Sequence, residues 1–408
     1  YLEAGSLSTG FAGIEAIRRE LEDFKDSGKF IVSYGDYYTQ GAYYLCSVAD
    51  SVFLNPQGSV SLVGLASQGL FFTGLAEKIG VEHYIFKVGT YKSAVEPFFL
   101  KKFSDANREQ LTSFLGSVWG NLTTAIEKSR NISSDELDRY LNEGLAMGQA
   151  SNAVDYKLAD GLRYRYEVEN CVKEMAGQDV KGKLKTAGVD KVASIKVKEK
   201  DSGNKIAVLY AEGEIRDEDS SSPFSADEQV ISEEMANKLR KLKDDDDVKA
   251  VVFRVNSPGG SAYISEQIWK EVVELKAKKP IVVSMGNYAA SGGYYISCAA
   301  NKIVAERTTL TGSIGVFGVV RNFTGTFDKV GVTTDIVKTN TFADLGDISR
   351  PMREDEKALI QRGVEQTYDL FLTRCADGRG MTKAEIDSIG QGRVWTGEQA
   401  LERGLVDQ

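Results

Sequence analysis

The sequence predicts an α/β protein built from two copies of one domain, each with a parallel-sheet βαβ core and flanking helices. The chain has 408 residues, which is long enough for two hydrophobic cores. Its two halves match without gaps over roughly residues 5–93 and 256–344. Each copy also alternates continuous apolar runs with stripes of helical spacing, a pattern typical of buried parallel strands joined by helices.

The repeat brings Gln40 opposite Ser291, an offset of 251 residues. After a shift of about eight residues the match resumes, with 158–162 opposite 401–405. Identities along the first register are Ile17 with Ile268, Ser33 with Ser284, Gly35 with Gly286, Gly41 with Gly292, Tyr43-Tyr44 with Tyr294-Tyr295, and Gly64 with Gly315. We therefore predict a first domain at 1–175, a linker rich in lysine and glycine at 176–204, and a second domain at 205–408.

The elements of the second copy follow in the order β-α-β-α-β. Apolar runs at 206–210, 251–255 and 281–285 predict buried strands, and Pro280 ends the helix before the last of them. The intervening helices show apolar residues three or four positions apart, namely Ile231, Met235, Leu239 and Leu242, then Ile264, Ile268, Val272 and Leu275. The polar stretch 216–228 is interpreted as a surface loop, with a flap over a substrate groove as the alternative.

Composition excludes several function classes. Lysine and arginine number 50 against 59 acidic residues, a net charge of −9, which disfavours non-specific binding to nucleic acid or anionic lipid. His83 is the only histidine, so a site needing two imidazoles is excluded, and a Ser-His-Asp or Cys-His centre would have to use it. The four cysteines are widely spaced without a CxxC pair, which argues against a zinc ribbon or a disulfide scaffold.

Reactive residue types differ between the copies at a strand-to-helix turn. Ser291 lies in Ala290-Ser291-Gly292-Gly293 after the strand 281–285, whereas the first copy has Gln40 there. A serine at such a turn presents its hydroxyl outward, close to helix N-terminal N–H groups that favour negative charge. This arrangement suits a nucleophile, although an N-cap serine is an equally simple interpretation.

A second difference is Lys92, which is opposite Ala343 in the other copy. Tyr91, Val95, Phe98 and Phe99 flank it, so it is a candidate for burial, which would lower its pKa and make it a neutral base. An isolated lysine is usually a solvated surface charge. However, one copy has the serine without the lysine and the other has the lysine without the serine.

The glycine turn of the second copy provides candidate oxyanion donors. Gly259 and Gly260 follow a predicted strand, and the first copy lacks this glycine pair. Glycines permit unusual φ angles and leave N–H groups accessible. We expect an N–H of Gly259 or Gly260, together with that of Gly292, to stabilise a tetrahedral oxyanion.

Five ordered motifs resemble those of the long, tandem-domain signal peptide peptidases of family S49, a family of serine proteases. The resemblance covers nearly the whole chain. The motifs are Gly89-Thr90-Tyr91-Lys92-Ser93-Ala94-Val95-Glu96-Pro97, Asn256-Ser257-Pro258-Gly259-Gly260-Ser261 with Ala290-Ser291-Gly292-Gly293-Tyr294, Leu310-Thr311-Gly312-Ser313-Ile314-Gly315, and Gly392-Arg393-Val394-Trp395-Thr396-Gly397.

The resemblance implies a ClpP-like or crotonase-like fold and a catalytic dyad of Ser291 and Lys92, with no metal or cofactor. It also implies that a serine hydroxyl and a carbonyl, here those of Ser313 and Gly315, orient the lysine. Expected partners are cleaved signal peptides and other unfolded, apolar peptides, within a bowl-shaped homotetramer. Tyr288, Tyr294 and Tyr295 would suit an apolar groove, but packing is the simpler role for them.

Family members are typically anchored in the bacterial cytoplasmic membrane by an N-terminal helix, with the catalytic part on the extracytoplasmic, periplasmic side. No stretch here approaches the roughly 18 apolar residues of a membrane span. The chain starts at Tyr1, and its first copy starts at the glycine turn, so we expect a processed or trimmed product.

Two other functions remain open at this stage. A duplicated enzyme that lost its chemistry would be a non-catalytic peptide-binding scaffold. Oxyanion turns also stabilise thioester enolates, which would suit an enzyme acting on acyl-CoA. The sequence also leaves open whether Lys92 meets Ser291 within one chain or across two chains.

Overall fold

The computed structural model describes residues 1–3, 5, 7–195, 203–217 and 229–408. They form two compact units. The first unit consists of Tyr1–Leu65 and Ser117–Asn204, and the second of Ala66–Gly116 and Lys205–Gln408. The segment Ala66–Gly116 thus belongs to the first copy in sequence and to the second unit in space. The domain boundaries inferred from the repeat stay a prediction.

Up to residue 204, the chain alternates short strands with helices. They are β1 (Leu2–Glu3), α1 (Phe11–Asp26), β2 (Val32–Tyr38), α2 (Gln40–Cys46), β3 (Ser51–Val60), α3 (Thr73–Ile79), β4 (Glu82–Val88), α4 (Asp105–Arg130), α5 (Ser134–Asn142), α6 (Ser151–Asp155), β5 (Gly161–Leu162), α7 (Arg165–Met175) and α8 (Val189–Ala193), with 3₁₀ turns at Glu96–Phe98 and Leu145–Met147.

The first unit has a parallel sheet with the strand order β1-β2-β3-β5. One cluster of buried residues joins β2 and β3 to α1, α2, α5 and the second half of α4. A separate cluster joins β2 and β3 to Val168 and Val172 of α7. The sheet is therefore covered by helices on both faces, as expected for parallel strands.

The second half of the chain continues the same alternation. Its elements are β6 (Lys205–Glu212), β7 (Glu214–Ile215), β8 (Val230–Ile231), α9 (Glu234–Asp244), β9 (Val248–Ser257), α10 (Ala262–Lys276), β10 (Ile281–Ala290), α11 (Gly292–Tyr295), β11 (Lys302–Val304), β12 (Leu310–Gly312), β13 (Val316–Asn322), α12 (Thr324–Val330), α13 (Glu354–Arg379), α14 (Lys383–Ile389), β14 (Val394–Thr396) and α15 (Gly397–Glu402).

The second unit is built around a six-stranded sheet. Its main path is β14-β12-β10-β9-β6, and β11 also pairs with β10. The strands are parallel except that β14 runs antiparallel to β12. A separate antiparallel ladder joins β4 to β13, from Val88 opposite Val316 to Glu82 opposite Asn322. This ladder attaches the segment that carries Lys92 to the unit that carries Ser291.

The α/β prediction is confirmed, with differences at element ends. Helix α9 begins at Glu234, because Ile231 lies in the short strand β8. Strand β10 extends to Ala290, beyond the apolar run that predicted it, with an irregular register between Met285 and Ala289. Periodicity could not predict this extension, since hydrogen bonds to β12 rather than apolar side chains sustain it.

The structure corrects the register of the late part of the repeat. The Tyr43 hydroxyl donates to the Leu158 carbonyl, and the Tyr294 hydroxyl donates to the Leu405 carbonyl. Likewise, Asp160 accepts from the N–H of Val52 and Asp407 from that of Ile303. Leu158 therefore corresponds to Leu405 rather than to Leu401. The Leu-x-Asp pattern, not the Leu-x-x-Gly-Leu pattern, marks the equivalent positions.

Two predicted connecting segments are only partly described. The 176–204 segment contains α8, and its residues 196–202 lie outside the described residues. Residues 218–228 of the predicted loop also lie outside the described residues. Within the described ranges, no helix combines the length and the apolar character that a membrane crossing requires.

Candidate active site

Ser291 occupies the turn between β10 and α11. Its backbone has φ 54° and ψ −118°, a combination that L-residues rarely adopt. The Ser291 N–H donates to the Gly312 carbonyl at 2.9 Å, and the Ser291 carbonyl accepts from Tyr295 N–H. These bonds hold the strained turn at the end of the strand, the position that nucleophilic serines occupy at strand-to-helix turns in other proteins.

The side chain of Lys92 reaches this hydroxyl within the same chain. Lys92 Nζ donates to Ser291 Oγ at 3.1 Å, to Ser313 Oγ at 3.0 Å and to the Ser313 carbonyl at 3.1 Å. All three acceptors are uncharged. The distance to Ser291 Oγ is within the range for direct proton transfer.

Burial sets the protonation behaviour of Lys92. The residue is 4% exposed. The loss of hydration lowers the pKa of its ammonium from 10.5 to about 8, and among the described residues no carboxylate pairs with it to offset this effect. A substantial fraction of Lys92 is therefore neutral slightly above neutral pH.

Ser313 and Gly315 both lie beside Lys92, but they contact it differently. Ser313 has φ 51° and supplies both a hydroxyl and its own carbonyl to Nζ. No hydrogen bond joins Nζ to Gly315. The Cα of Gly315 instead faces the lysine stem, where an added Cβ would lie 3.2 Å from Lys92 Cδ. The expected carbonyl partner is thus on Ser313, and Gly315 provides space for the side chain.

The glycine turn lies against the turn that carries Ser291. Gly259 has φ 105°, and a Cβ there would lie 2.7 Å from Gly292 N. A Cβ on Gly292 would lie 3.2 Å from Gly260 N. The Gly259 N–H donates to Ser257 Oγ, whereas within the described part of the chain the N–H groups of Gly260 and Gly292 have no acceptor. The candidate oxyanion donors are therefore Gly260 and Gly292.

A cavity of about 450 Å³ adjoins these groups. Its lining combines apolar and polar side chains from β7, α10, α11, β13 and α13: Ile215, Arg216, Ser265, Tyr295, Val316, Phe317, Thr367 and Phe371, among others. Ser265, Phe317 and Phe371 were not predicted from the sequence. Helical spacing places Phe371 on the same face of α13 as Tyr368 and Cys375, but nothing in that pattern indicates which helix faces the cavity.

The three candidate tyrosines have different positions. Tyr294 is fully buried and packs in the core. Tyr295 lines the cavity, and its hydroxyl donates to Glu266 at 2.6 Å. Tyr288 is about half exposed. His83 lies on β4 opposite Arg321 and against the Phe98 ring, away from the Ser291–Lys92 contact.

Two family models match parts of this chain. The model of Peptidase family S49 matches residues 23–179 and 273–408. The model of Clp protease matches residues 224–314, which include the glycine turn and Ser291. The latter match and the parallel α/β architecture support a ClpP-like fold.

Several curated proteins are similar over almost the whole chain. Protease 4 of Salmonella typhi is 40% identical over 398 residues, and Protease 4 of Haemophilus influenzae is 38% identical over 405 residues. Serine protease SPPA, chloroplastic, of Arabidopsis thaliana is 33% identical over 413 residues. The alignments cover 96%, 97% and 100% of this chain, and the chain spans 63%, 65% and 60% of the three relatives.

Proposed function

This chain belongs to peptidase family S49, and we propose that it is a serine endopeptidase with Ser291 as nucleophile and Lys92 as general base. The observation that carries the proposal is the 3.1 Å hydrogen bond between Lys92 Nζ and Ser291 Oγ. It is supported by burial of the lysine, which lowers its pKa to about 8. A lysine in this state is a competent base near neutral pH.

In the proposed reaction, neutral Lys92 takes the proton of Ser291 as Oγ attacks a peptide carbonyl. The N–H groups of Gly292 and Gly260 stabilise the resulting oxyanion, and the Gly259 conformation holds the turn. The Lys92 ammonium then gives its proton to the leaving amine. Water, deprotonated by Lys92, hydrolyses the acyl-enzyme and regenerates Ser291. Ser313 orients the lysine throughout through its hydroxyl and carbonyl oxygens.

The proposed substrates are unfolded, apolar peptides, including cleaved signal peptides. Support comes from the cavity beside Ser291, where Ile215, Val316, Phe317 and Phe371 provide apolar walls. An apolar side chain next to the scissile bond would be desolvated there at little cost.

We also propose that the protein works as a homotetramer at the bacterial cytoplasmic membrane, with the catalytic part on the extracytoplasmic side. This proposal rests on the family resemblance of the sequence motifs. Light scattering on the purified protein and protease accessibility in spheroplasts would test it. A stable monomer, or protection from protease in intact spheroplasts, would contradict it.

The central test compares single substitutions in the purified protein. Ser291→Ala and Lys92→Ala should each lower kcat/KM on an unfolded apolar peptide by about 10³-fold or more, because each removes one half of the dyad. Lys87→Ala is the control, since Lys87 lies on β4, in the same segment, with its Nζ over the Phe99 ring. It should retain nearly full activity.

Labelling separates catalysis from binding alone. A fluorophosphonate probe should modify the wild-type protein at Ser291 and leave Ser291→Ala unmodified. A protein that binds peptides but neither reacts with the probe nor cleaves them would instead be a non-catalytic peptide-binding scaffold.

A further inference from the structure

A turn near the C-terminus lies between Lys92 and the turn of Ser313. The turn consists of Gln391–Val394 and is called the bridge below. It donates and accepts backbone hydrogen bonds on both sides: Tyr91 N–H to the Gln391 carbonyl at 2.8 Å, Gly392 N–H to the Ile314 carbonyl at 2.7 Å, and Ser313 N–H to the Arg393 carbonyl at 2.7 Å. The bridge therefore connects the residue before Lys92 directly to the residue that orients its amine.

Gly392 is the point of closest approach. It has φ 75°, and a Cβ there would lie 2.6 Å from Lys92 N and 2.7 Å from Lys92 Cβ. On its other side, a Cβ on Gly315 would lie 2.7 Å from Gly392 Cα. Contacts this short with backbone atoms cannot be relieved by rotating a side chain. An added side chain at 392 would therefore change the spacing between the backbones of Gly392 and Lys92.

Gln110 fixes the same segment from the opposite direction. Its side chain is buried, and Nε2 donates to the Tyr91 carbonyl and to Ser93 Oγ, both at 2.9 Å. Its Oε1 accepts from the Val394 N–H at 3.2 Å. One amide group thus ties both neighbours of Lys92 to the bridge.

We infer that the bridge and Gln110 position Lys92 against Ser291, and that Gly392 and Gln110 are positioning residues of the dyad. The inference rests on the proposed function, because it concerns the geometry of that dyad. The lysine side chain is long and has four rotatable bonds, so its amine is held only if its backbone is held. A misplacement of about 1 Å at a reacting group is enough to lower a rate about 100-fold.

The main test compares Gly392→Ala with Gly404→Ala. Both glycines have nearly the same positive φ, 75° and 71°, so the backbone strain from an added Cβ is matched. At Gly404 the nearest atom to the new Cβ would be Met381 Sδ at 3.8 Å, which leaves room for it. We expect Gly392→Ala to lower kcat about 100-fold with KM changed less than about threefold, and Gly404→Ala to keep the wild-type kcat.

The pH dependence distinguishes a positioning role from general destabilisation. In Gly392→Ala the amine would leave its dry pocket, so the midpoint of the acid limb should move upward, towards the ordinary lysine pKa. Activity should then recover partly at high pH, which it cannot do in Lys92→Ala. A loss of stability alone would lower the amount of active protein at every pH without moving the midpoint.

A second pair keeps the inference testable if Gly392→Ala does not fold. Gln110→Leu removes the amide that contacts the bridge. Gln399→Leu, on α15, removes an amide whose Nε2 donates to Ser113 Oγ at 3.1 Å. Ser113 lies on α4, the helix that also carries Gln110. The first should lower kcat at least about tenfold and the second less than about twofold.

Outcomes for the inference and for the proposed function are separable. If wild type is active and Lys92→Ala is inactive, but neither Gly392→Ala nor Gln110→Leu is slower than its control, the positioning inference is overturned and the dyad stands. If the wild type shows no Ser291-dependent cleavage, the proposed function itself fails, and the inference fails with it.

Discussion

Single residues at the candidate site depart from what their types prefer. Among the described residues, non-glycine residues with positive φ are Asn131, Lys157, Ser291, Ser313 and Gln391. Ser291 belongs to the proposed dyad, Ser313 contacts the Lys92 amine, and Gln391 belongs to the bridge. Each such conformation costs about 1–3 kcal/mol and persists only where the surrounding structure enforces it. These three strained residues lie close to the buried Lys92, whose amine has lost its hydration. Backbone strain and desolvation, which are both unfavourable in free energy, thus occur together in one small region, as is typical of a functional site.

The rate of peptide cleavage should depend on pH through Lys92. Lys92 must be neutral to accept the proton of Ser291, and burial lowers its pKa to about 8. The value of kcat/KM should therefore rise with pH, reach half its maximum near pH 8, and fall about tenfold per pH unit at lower pH. A pH series with one peptide substrate measures this profile. A flat profile between about pH 6 and 9 would exclude Lys92 as the base, and a midpoint near 10 would contradict the lowering of its pKa by burial.

The residue pair could be predicted from the sequence because the repeat provides an internal comparison. Ser291 differs from Gln40, and Lys92 differs from Ala343, so each candidate had a matched position without the reactive group. The role of the Ser313 carbonyl could not be predicted in this way. It depends on a positive φ at a serine, and no residue pattern specifies that conformation.

At the scale of elements, strand β10 and helix α11 hold Ser291, the proposed nucleophile, in the turn between them. On the side of α11 that faces the core, the Tyr294 hydroxyl donates to the Leu405 carbonyl at 2.9 Å. Apolar periodicity predicted the strand and its approximate position. It could not predict which helix lines the cavity, since α13 reaches it through tertiary packing over a separation of about 80 residues from Ser291.

Tyr294→Phe should destabilise the protein without changing the dyad. The substitution leaves a buried carbonyl without its donor, which costs about 1–3 kcal/mol. Denaturant unfolding of the second unit measures the free-energy difference. Tyr288→Phe is the control, because its side chain is about half exposed and should change the free energy of unfolding by less than about 0.5 kcal/mol. Equal stabilities of the two variants would contradict the packing role of Tyr294.

At the scale of the whole molecule, one compact unit contains both members of the dyad. The segment Ala66–Gly116 brings Lys92 into the unit of Lys205–Gln408, so Lys92 and Ser291 of one chain meet although 199 residues separate them. The sequence left this point open, because the repeat assigned the two residues to different copies. The β4–β13 ladder, which decides it, joins strands whose partners no local pattern reveals.

Mixing inactive variants should not restore activity. Chains with Lys92→Ala and chains with Ser291→Ala each lack one half of the dyad, and a dyad formed within one chain cannot be completed by a neighbour. Differently tagged variants can be co-expressed, purified as mixed oligomers and assayed for peptide cleavage. Mixed oligomers of wild type and Ser291→Ala provide the control and should be active in proportion to their wild-type chains. Activity well above that of either variant alone would show that the dyad forms between chains.

The long sequence separation between Lys92 and Ser291 also determines when a newly synthesised chain would begin to cleave peptides. The bridge contact between Tyr91 and Arg393 spans 302 residues. At about 5–20 residues per second, a ribosome needs roughly 15–60 s to travel that distance. Ser291 is made 199 residues after Lys92, so the amine at first lacks the serine hydroxyl and lacks the bridge until the end of the interval. Since the proposed dyad depends on the bridge, we expect a new chain to stay inactive until the ribosome has added residues 391–394.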